Sequence, residues 1–284
     1  MPDKIKYRRA LLALPMQLWT ALFVGVALLY IIGLSLLANG ENMTVTSELT
    51  LQNYADLLMP EYARVLWQSL RLAALTTLIC VALGYPFGYF MARMSKRWRT
   101  WLLLFIIAPF WTNALIRIYG WKIILLANGP LNRTLIALGL IDKPLKLLYT
   151  QGAVLLGMTY AMIPFVILSV YSGVERMDWA TVEAARDLGA SAFRAFCTVT
   201  LPMTLPSLLA GCMLTFLPSV GLFFLSDILG GSNAVLWGNL VHDSLLKSRN
   251  LPFAAALSAV LLLLTGVVLF LYRRAGGRAD DVVF

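Results

Sequence analysis

Six stretches of this chain are each long and apolar enough to cross a bilayer as a helix, roughly residues 12–38, 66–92, 101–127, 152–174, 206–229 and 252–272. No other feature limits its fold as severely. A hydrocarbon core of about 30 Å takes about 20 such residues in a helix. Inside lipid every backbone amide must find its partner within the protein, and a helix does this within one segment. The chain is 60% hydrophobic and 13% charged, against about 25% charged in soluble domains. The expectation is an all-α membrane protein with six transmembrane helices, residues 1–284 forming a single transmembrane domain. The first run follows a basic start, but it exceeds the roughly 7–15 residues of a signal-peptide core. It reads as a retained anchor.

The net charge of +9 invites a nucleic-acid partner until its distribution is considered. Segments 1–11, 93–100, 175–205 and 273–284 hold fourteen of the 23 Lys and Arg. The intervening loops near 39–65, 128–150 and 230–251 hold Arg64, Arg133, Lys143, Lys146, Lys247 and Arg249. The basic residues abut the apolar runs rather than forming a stripe interleaved with aromatics, which excludes nucleic acid as a partner. Their bias instead puts the richer segments, and with them both termini, on the cytoplasmic side.

The remaining loops carry turn chemistry at Asn39-Gly40, Asn128-Gly129-Pro130 and Gly230-Gly231-Ser232-Asn233. Leu49 to Tyr62 reads as a short amphipathic helix on the outer surface. Asn42 and Asn132 match the short glycosylation pattern, which occurs by chance and carries no weight. Cys80, Cys197 and Cys212 lack metal-ligand spacing and offer no exported pair for a disulfide, and His242 stands alone in a loop. No metal site is expected.

Nothing in the chain resembles a phosphate cradle or an acidic metal pair, so ATP hydrolysis is not expected of it. The cytoplasmic connection 175–205 reads as structured instead. Asp178 can cap a helix containing Glu183, Ala184, Ala185, Arg186 and Asp187, and Gly189 permits the left-handed residue that ends one. A second helical stretch, Ser191 to Thr200, leads through Leu201 to Pro202 at the entry to the fifth span. A short projecting helix with a flat alanine face suits a groove on a partner protein.

This segment resembles the cytoplasmic loop of ABC importer permeases. Their pattern of Glu-Ala-Ala, three residues, Gly, nine residues, an aliphatic, one residue and Leu-Pro is met at Glu183, Ala184, Ala185, Gly189, Val199, Leu201 and Pro202. Only Val199, where Ile is more usual, departs mildly. The stretches 109–120 and 222–231 resemble the third and fifth spans of spermidine/putrescine permease subunits, the first such subunit more than the second. The likeness covers most of the chain from the second span onward. It implies a type I importer permease fold in a bacterial inner membrane. It also implies that the 183–202 loop, Asp187 included, docks on an ATPase. The implied partners are a second permease subunit, an ATPase dimer holding ATP and Mg, and a periplasmic binding protein, with no cofactor in this chain.

A polyamine path needs carboxylates and aromatic faces. Asp227 is the acid placed within a span, and charges there are functional candidates. Pro218 and Gly221 precede it, so the fifth span is expected to be kinked or unwound, with Asp227 near the outer mouth beside Phe223 and Phe224. Trp111, Asn113 and Tyr119 in the third span and Tyr160 in the fourth complete the candidate path. The eight-residue spacing from Trp111 to Tyr119 puts both on one helix face. Arg117 and Lys122 oppose a polycation, and are expected to pair structurally or to reach headgroups. Three alternatives stand beside this reading. A related importer could carry another small solute. A secondary transporter would be expected to show internal repeats, and none is evident. A non-transporting scaffold would have no use for an intact coupling pattern.

Overall fold

The computed structural model describes residues 2–40 and 44–274, with side chains from Leu14 onward. In chain order it contains α1 (Pro2–Ser35), β1 (Leu37–Asn39), β2 (Val45–Leu49), α2 (Gln52–Leu57), α3 (Pro60–Arg93), α4 (Lys96–Ile107) and α5 (Ala114–Leu125). Then follow α6 (Pro130–Ala137), α7 (Gln151–Glu175), α8 (Trp179–Asp187), α9 (Ala192–Ala195) and α10 (Leu201–Gly221). The described residues end with α11 (Phe223–Leu225), α12 (Trp237–Leu246) and α13 (Leu251–Arg274). Two compact units share these elements. One holds the chain up to Ala63 together with Leu240–Leu264; the other holds Arg64–Asn239 and the last helix from Thr265.

Among the described residues, five helices are long and apolar enough to cross a membrane, and a bent helix pair makes a sixth if it counts as one span. The expected fourth and sixth spans match α7 and α13 within a residue or two. The third departs from expectation. It is two arms, Lys96–Trp111 and Ala114–Ala137, meeting at 95°. A 3₁₀ turn at Ala108–Trp111 ends the first arm at Thr112, whose ψ of 151° is extended. Asn113 then starts α5 afresh by accepting the Leu115 amide at 2.8 Å. Pro109 inside that turn removes a donor that a continuous helix would need. The fifth span also differs from the expected 206–229. It runs without interruption from Ala192 to Gly221 and stops at Leu222, where ψ is 69°.

Two further expectations are corrected. Leu49 to Tyr62 is not one surface helix: Val45–Leu49 is a strand paired antiparallel with Leu37–Asn39, only Gln52–Leu57 is helical before the span, and Pro60 opens α3. Asn53 fixes this arrangement, donating to the Ser35 and Leu37 carbonyls at 3.0 and 2.9 Å, while Tyr54 shares a 2.6 Å hydrogen bond with Ser35. The 230–251 connection contains α12, so His242 lies on a helix. The opening amides of α12 are satisfied by side chains, Trp237 N–H by Ser69 at 2.8 Å and Leu236 N–H by Asn239 at 2.8 Å. Asn132 is buried and clamps its loop through Leu126 and Leu145, so it offers nothing to a glycan. Asn42 lies outside the described residues.

Helix packing in the second unit uses small residues, as expected where lipid removes the hydrophobic advantage of bulk. A Cβ on Gly88 would stand 2.8 Å from the Ile167 carbonyl, and one on Gly211 would stand 3.0 Å from Ser169. These contacts bring α3 and α10 against α7. Two buried clusters result. One centres on Val154, Met158, Leu225 and Leu229, the other on Cys80, Tyr85, Val166 and Val170.

Candidate functional site

The 178–202 segment is built by caps that act where the sequence places them. Asp178 Oδ1 accepts the Ala180 amide at 3.0 Å and starts α8. Gly189, at φ +90°, ends it. The Gly189 amide donates to Arg186 and the Ala190 amide to Ala185, at 2.9 and 3.1 Å, the paired bonds of a Schellman turn. Ser191 then accepts the Arg194 amide at 3.3 Å and starts α9. The expected second helical stretch is α-helical only to Ala195. Phe196–Thr200 widens into a π turn in which the Leu201 amide reaches the Phe196 carbonyl. That widening accommodates Pro202, whose ring would otherwise press on the carbonyl four residues back. Glu183, Ala184 and Asp187 are exposed, Ala185 and Leu201 half-buried, and Pro202 exposed. Two large apolar side chains project at the turn, Leu188 at 89% and Phe193 at 77% exposure.

The second candidate region surrounds Asp227, on a π-helical stretch, Ser226–Gly230, just past the break at Leu222. The break arises where two backbones nearly touch: a Cβ on Gly238 would run into the Gly221 carbonyl oxygen. The Phe223 carbonyl takes a hydrogen bond at 3.2 Å from Asn239 Nδ2, which also donates to Asp227 Oδ1 at 2.5 Å. Asn239 is only 5% exposed, while Asp227 is exposed. Phe223 and Phe224 stand edge-to-face beside this site, with ring centroids 6.2 Å apart. The turn beyond is closed by the hydrogen bond from Ser226 to the Ala234 carbonyl and by Tyr149, whose amide donates to Leu229 at 2.8 Å.

The other path candidates are dispersed. The bend at Thr112–Asn113 separates Trp111 from Tyr119, so they do not share a helix face, and Asn113 is occupied as a cap. Tyr160 instead meets Trp121 edge-on at 5.5 Å and lines a mostly apolar cleft of about 410 Å³ with Ile79, Leu156, Thr159 and Ile163. Arg117 and Lys122 make no carboxylate pair among the described residues; they lie over aromatic rings. The Arg117 guanidinium is 5.4 Å from the Phe110 centroid, and Lys122 Nζ is 5.7 Å from Tyr119 and 6.0 Å from Tyr149. Sequence reasoning missed Asn239 and Trp121. The only local hint of Asn239 was an amide beside Gly238 after a turn-rich stretch.

Residues 84–279 match the family of binding-protein-dependent transport system inner membrane components. The chain belongs to this family. The match includes both the 178–202 segment and the Asp227 region. The spermidine/putrescine transport system permease protein PotB of Escherichia coli (strain K12) is 44% identical over 257 residues, covering 90% of this chain and 94% of that protein. Its Salmonella typhimurium (strain LT2) counterpart is 45% identical, covering 90% of each. Among solved structures, a chain of a bacterial ABC transporter that imports the acidic polysaccharide alginate superposes with a TM-score of 0.71 at 16% identity, covering 95% of this chain and 96% of that one. A chain of the MetNI methionine ABC transporter gives 0.56 at 18% identity, covering 75% and 93%. These two likenesses establish the shared permease fold. The family's place in transport is that of a membrane permease, not an enzyme.

Proposed function

We propose that this chain is one of two permease subunits of an ATP-driven polyamine importer in a bacterial inner membrane, with both termini cytoplasmic. The observation that carries this reading is identity of 44–45% with spermidine/putrescine permeases over 90% of the chain. In this reading a dimeric ATPase binds ATP and Mg, receives α8 in a groove, and moves it when its nucleotide sites close. Glu183 and Asp187 supply charge to that contact. Leu188 and Phe193 supply the apolar surface that an unoccupied docking element leaves in water. A periplasmic binding protein delivers the polyamine to the opposite face. Asp227, fixed by Asn239 and flanked by Phe223 and Phe224, attracts an ammonium group there.

Reconstitution tests this directly. Vesicles holding this chain, its second permease, the ATPase and the binding protein accumulate labelled spermidine only with ATP, and vesicles with this chain alone accumulate none. Uptake by the single chain on an ion gradient would overturn the proposal.

A further inference from the structure

Both ends of the coupling segment close on one face of α3. Tyr85 and Tyr89 lie one turn apart on that helix, and Arg93 lies one turn further. Phe196, past α9, stands edge-on to both tyrosines with ring centroids 5.9 Å away in each case. Trp179, the first residue of α8, lies 6.3 Å from Tyr89. The Arg93 guanidinium lies over the same pair, 5.2 Å from the Trp179 ring and 5.8 Å from the Tyr89 ring. Tyr85 continues the contact inward through a 2.9 Å hydrogen bond with Thr204 of α10. Residues 179–196 thus leave α3 and return to it.

Edge-on aromatic pairs attract beyond their burial, and a guanidinium is held over a ring face by the ring quadrupole. Acting at both ends of one short segment, such contacts suppress hinging where α8 joins its neighbours. A displacement of α8 is therefore carried into α3. The same helix supplies Ile79 to the cleft that Trp121 and Tyr160 line.

We propose that Tyr89 is the hub of an aromatic clamp that passes motion of the docking helix to the second span. Trp179 and Arg93 are positioning residues for the coupling of ATP hydrolysis to transport. This rests on the reading of α8 as the ATPase-docking helix.

The test uses the complete importer in vesicles, carrying Tyr89→Leu, Trp179→Leu or Arg93→Gln. Three quantities are read: ATPase subunit retained on purification, ATP hydrolysed with spermidine-loaded binding protein, and spermidine imported per ATP. All three variants keep the ATPase subunit and hydrolyse ATP. For the two leucine variants, spermidine imported per ATP falls about tenfold, the scale of a typical coupling free energy. Tyr89→Phe and Trp179→Phe restore it. Unchanged import per ATP overturns the clamp, and so does loss of the ATPase subunit, which would make these residues a docking scaffold. Arg93 is exposed and its replacement spares the packing, so Arg93→Gln decides if the leucine variants fail to reach the membrane. A fall in its ratio supports the clamp, and a wild-type ratio overturns it. Failure of the docking reading shows separately, as a Glu183→Lys importer that keeps its ATPase and its uptake.

Discussion

Asn239 holds the carboxylate of Asp227 at 2.5 Å, across twelve residues and a broken helix. The same amide nitrogen binds the Phe223 carbonyl, and the amide oxygen caps Leu236. One buried side chain therefore fixes the start of α12, the unwound end of the fifth span and the exposed acid between them.

Removing only the charge of Asp227 tells a role in the proposed polyamine path apart from a role in structure. Asp227→Asn keeps an oxygen for Asn239 to donate to, so thermal unfolding in detergent stays near wild type. Half-maximal spermidine uptake moves to about tenfold higher concentration, equivalent to ~1.4 kcal/mol. Uptake kinetics identical to wild type would take Asp227 out of the path.

Asn239→Leu has the opposite profile. It strips the side-chain partner from the buried Leu236 amide, at a cost of about 1–3 kcal/mol, and removes one of the donors to the Phe223 carbonyl, which keeps the Ser226 amide. The melting temperature of the detergent-solubilised protein drops by several degrees. An unshifted melt would mean that the break at Leu222 is held by other contacts.

Losing the Asp178 cap frays α8 without touching its exposed face. Asp178→Ala costs about 1 kcal/mol, and amide exchange across residues 179–187 quickens about fivefold, the rate equivalent of that cost. Exchange at the wild-type rate would assign the start of α8 to the Trp179 contacts alone.

Reversing the charge of Glu183 tests docking itself. Glu183 is exposed, so Glu183→Lys folds and inserts, but it no longer retains the ATPase on purification and abolishes ATP-dependent uptake. Retention of a normal ATPase complement counts against α8 as the contact.

Burial pushes the Asp243 carboxyl up, but hydrogen bonds from Lys247 and His242 outweigh it, and its pKa lies below the usual 3.8. Because the folded-state value is the lower one, the stabilisation is complete above the ordinary carboxylate range and fades as pH falls through the lowered value. Lys247 approaches to 2.8 Å, although its side chain is largely exposed. Lys247→Met therefore speeds amide exchange at 243–250 by less than about fivefold at neutral pH, and the acid-induced rise begins at higher pH than in wild type. No change in the onset would show that His242 suffices.

Periodicity, caps and charge bias are local signals, and what rests on them was readable in the sequence. Asp178, Gly189 and Ser191 announce α8 and α9 by residue type alone, and the apolar lengths of α7 and α13 fix both spans to within a residue or two. The failures share a different cause. The 95° bend in the third span sits in a run whose composition looks uniformly apolar, and only the Pro109 and Asn113 pair marks it. The β1–β2 hairpin depends on pairing between Leu37–Asn39 and Val45–Leu49, and Asn53, outside both strands, locks it. Asn239 acts through partners twelve and sixteen residues back, and neither spacing is a helical repeat. Arg117 and Lys122 read as charges that would pair structurally or reach headgroups. They resolve on aromatic faces instead, which no charge count reveals.

The bend has a consequence for how the protein is made. Neither α4 nor α5, at 12 residues each, reaches the roughly 20 needed to sit in hydrocarbon alone, and the extended backbone at Thr112 must be shielded from lipid. The ribosome delivers this pair before α7, whose Phe165 packs against Phe110. If the pair counts as one span, the insertion machinery must shelter it until α7 has emerged, and this stretch enters the bilayer as a group rather than one helix at a time.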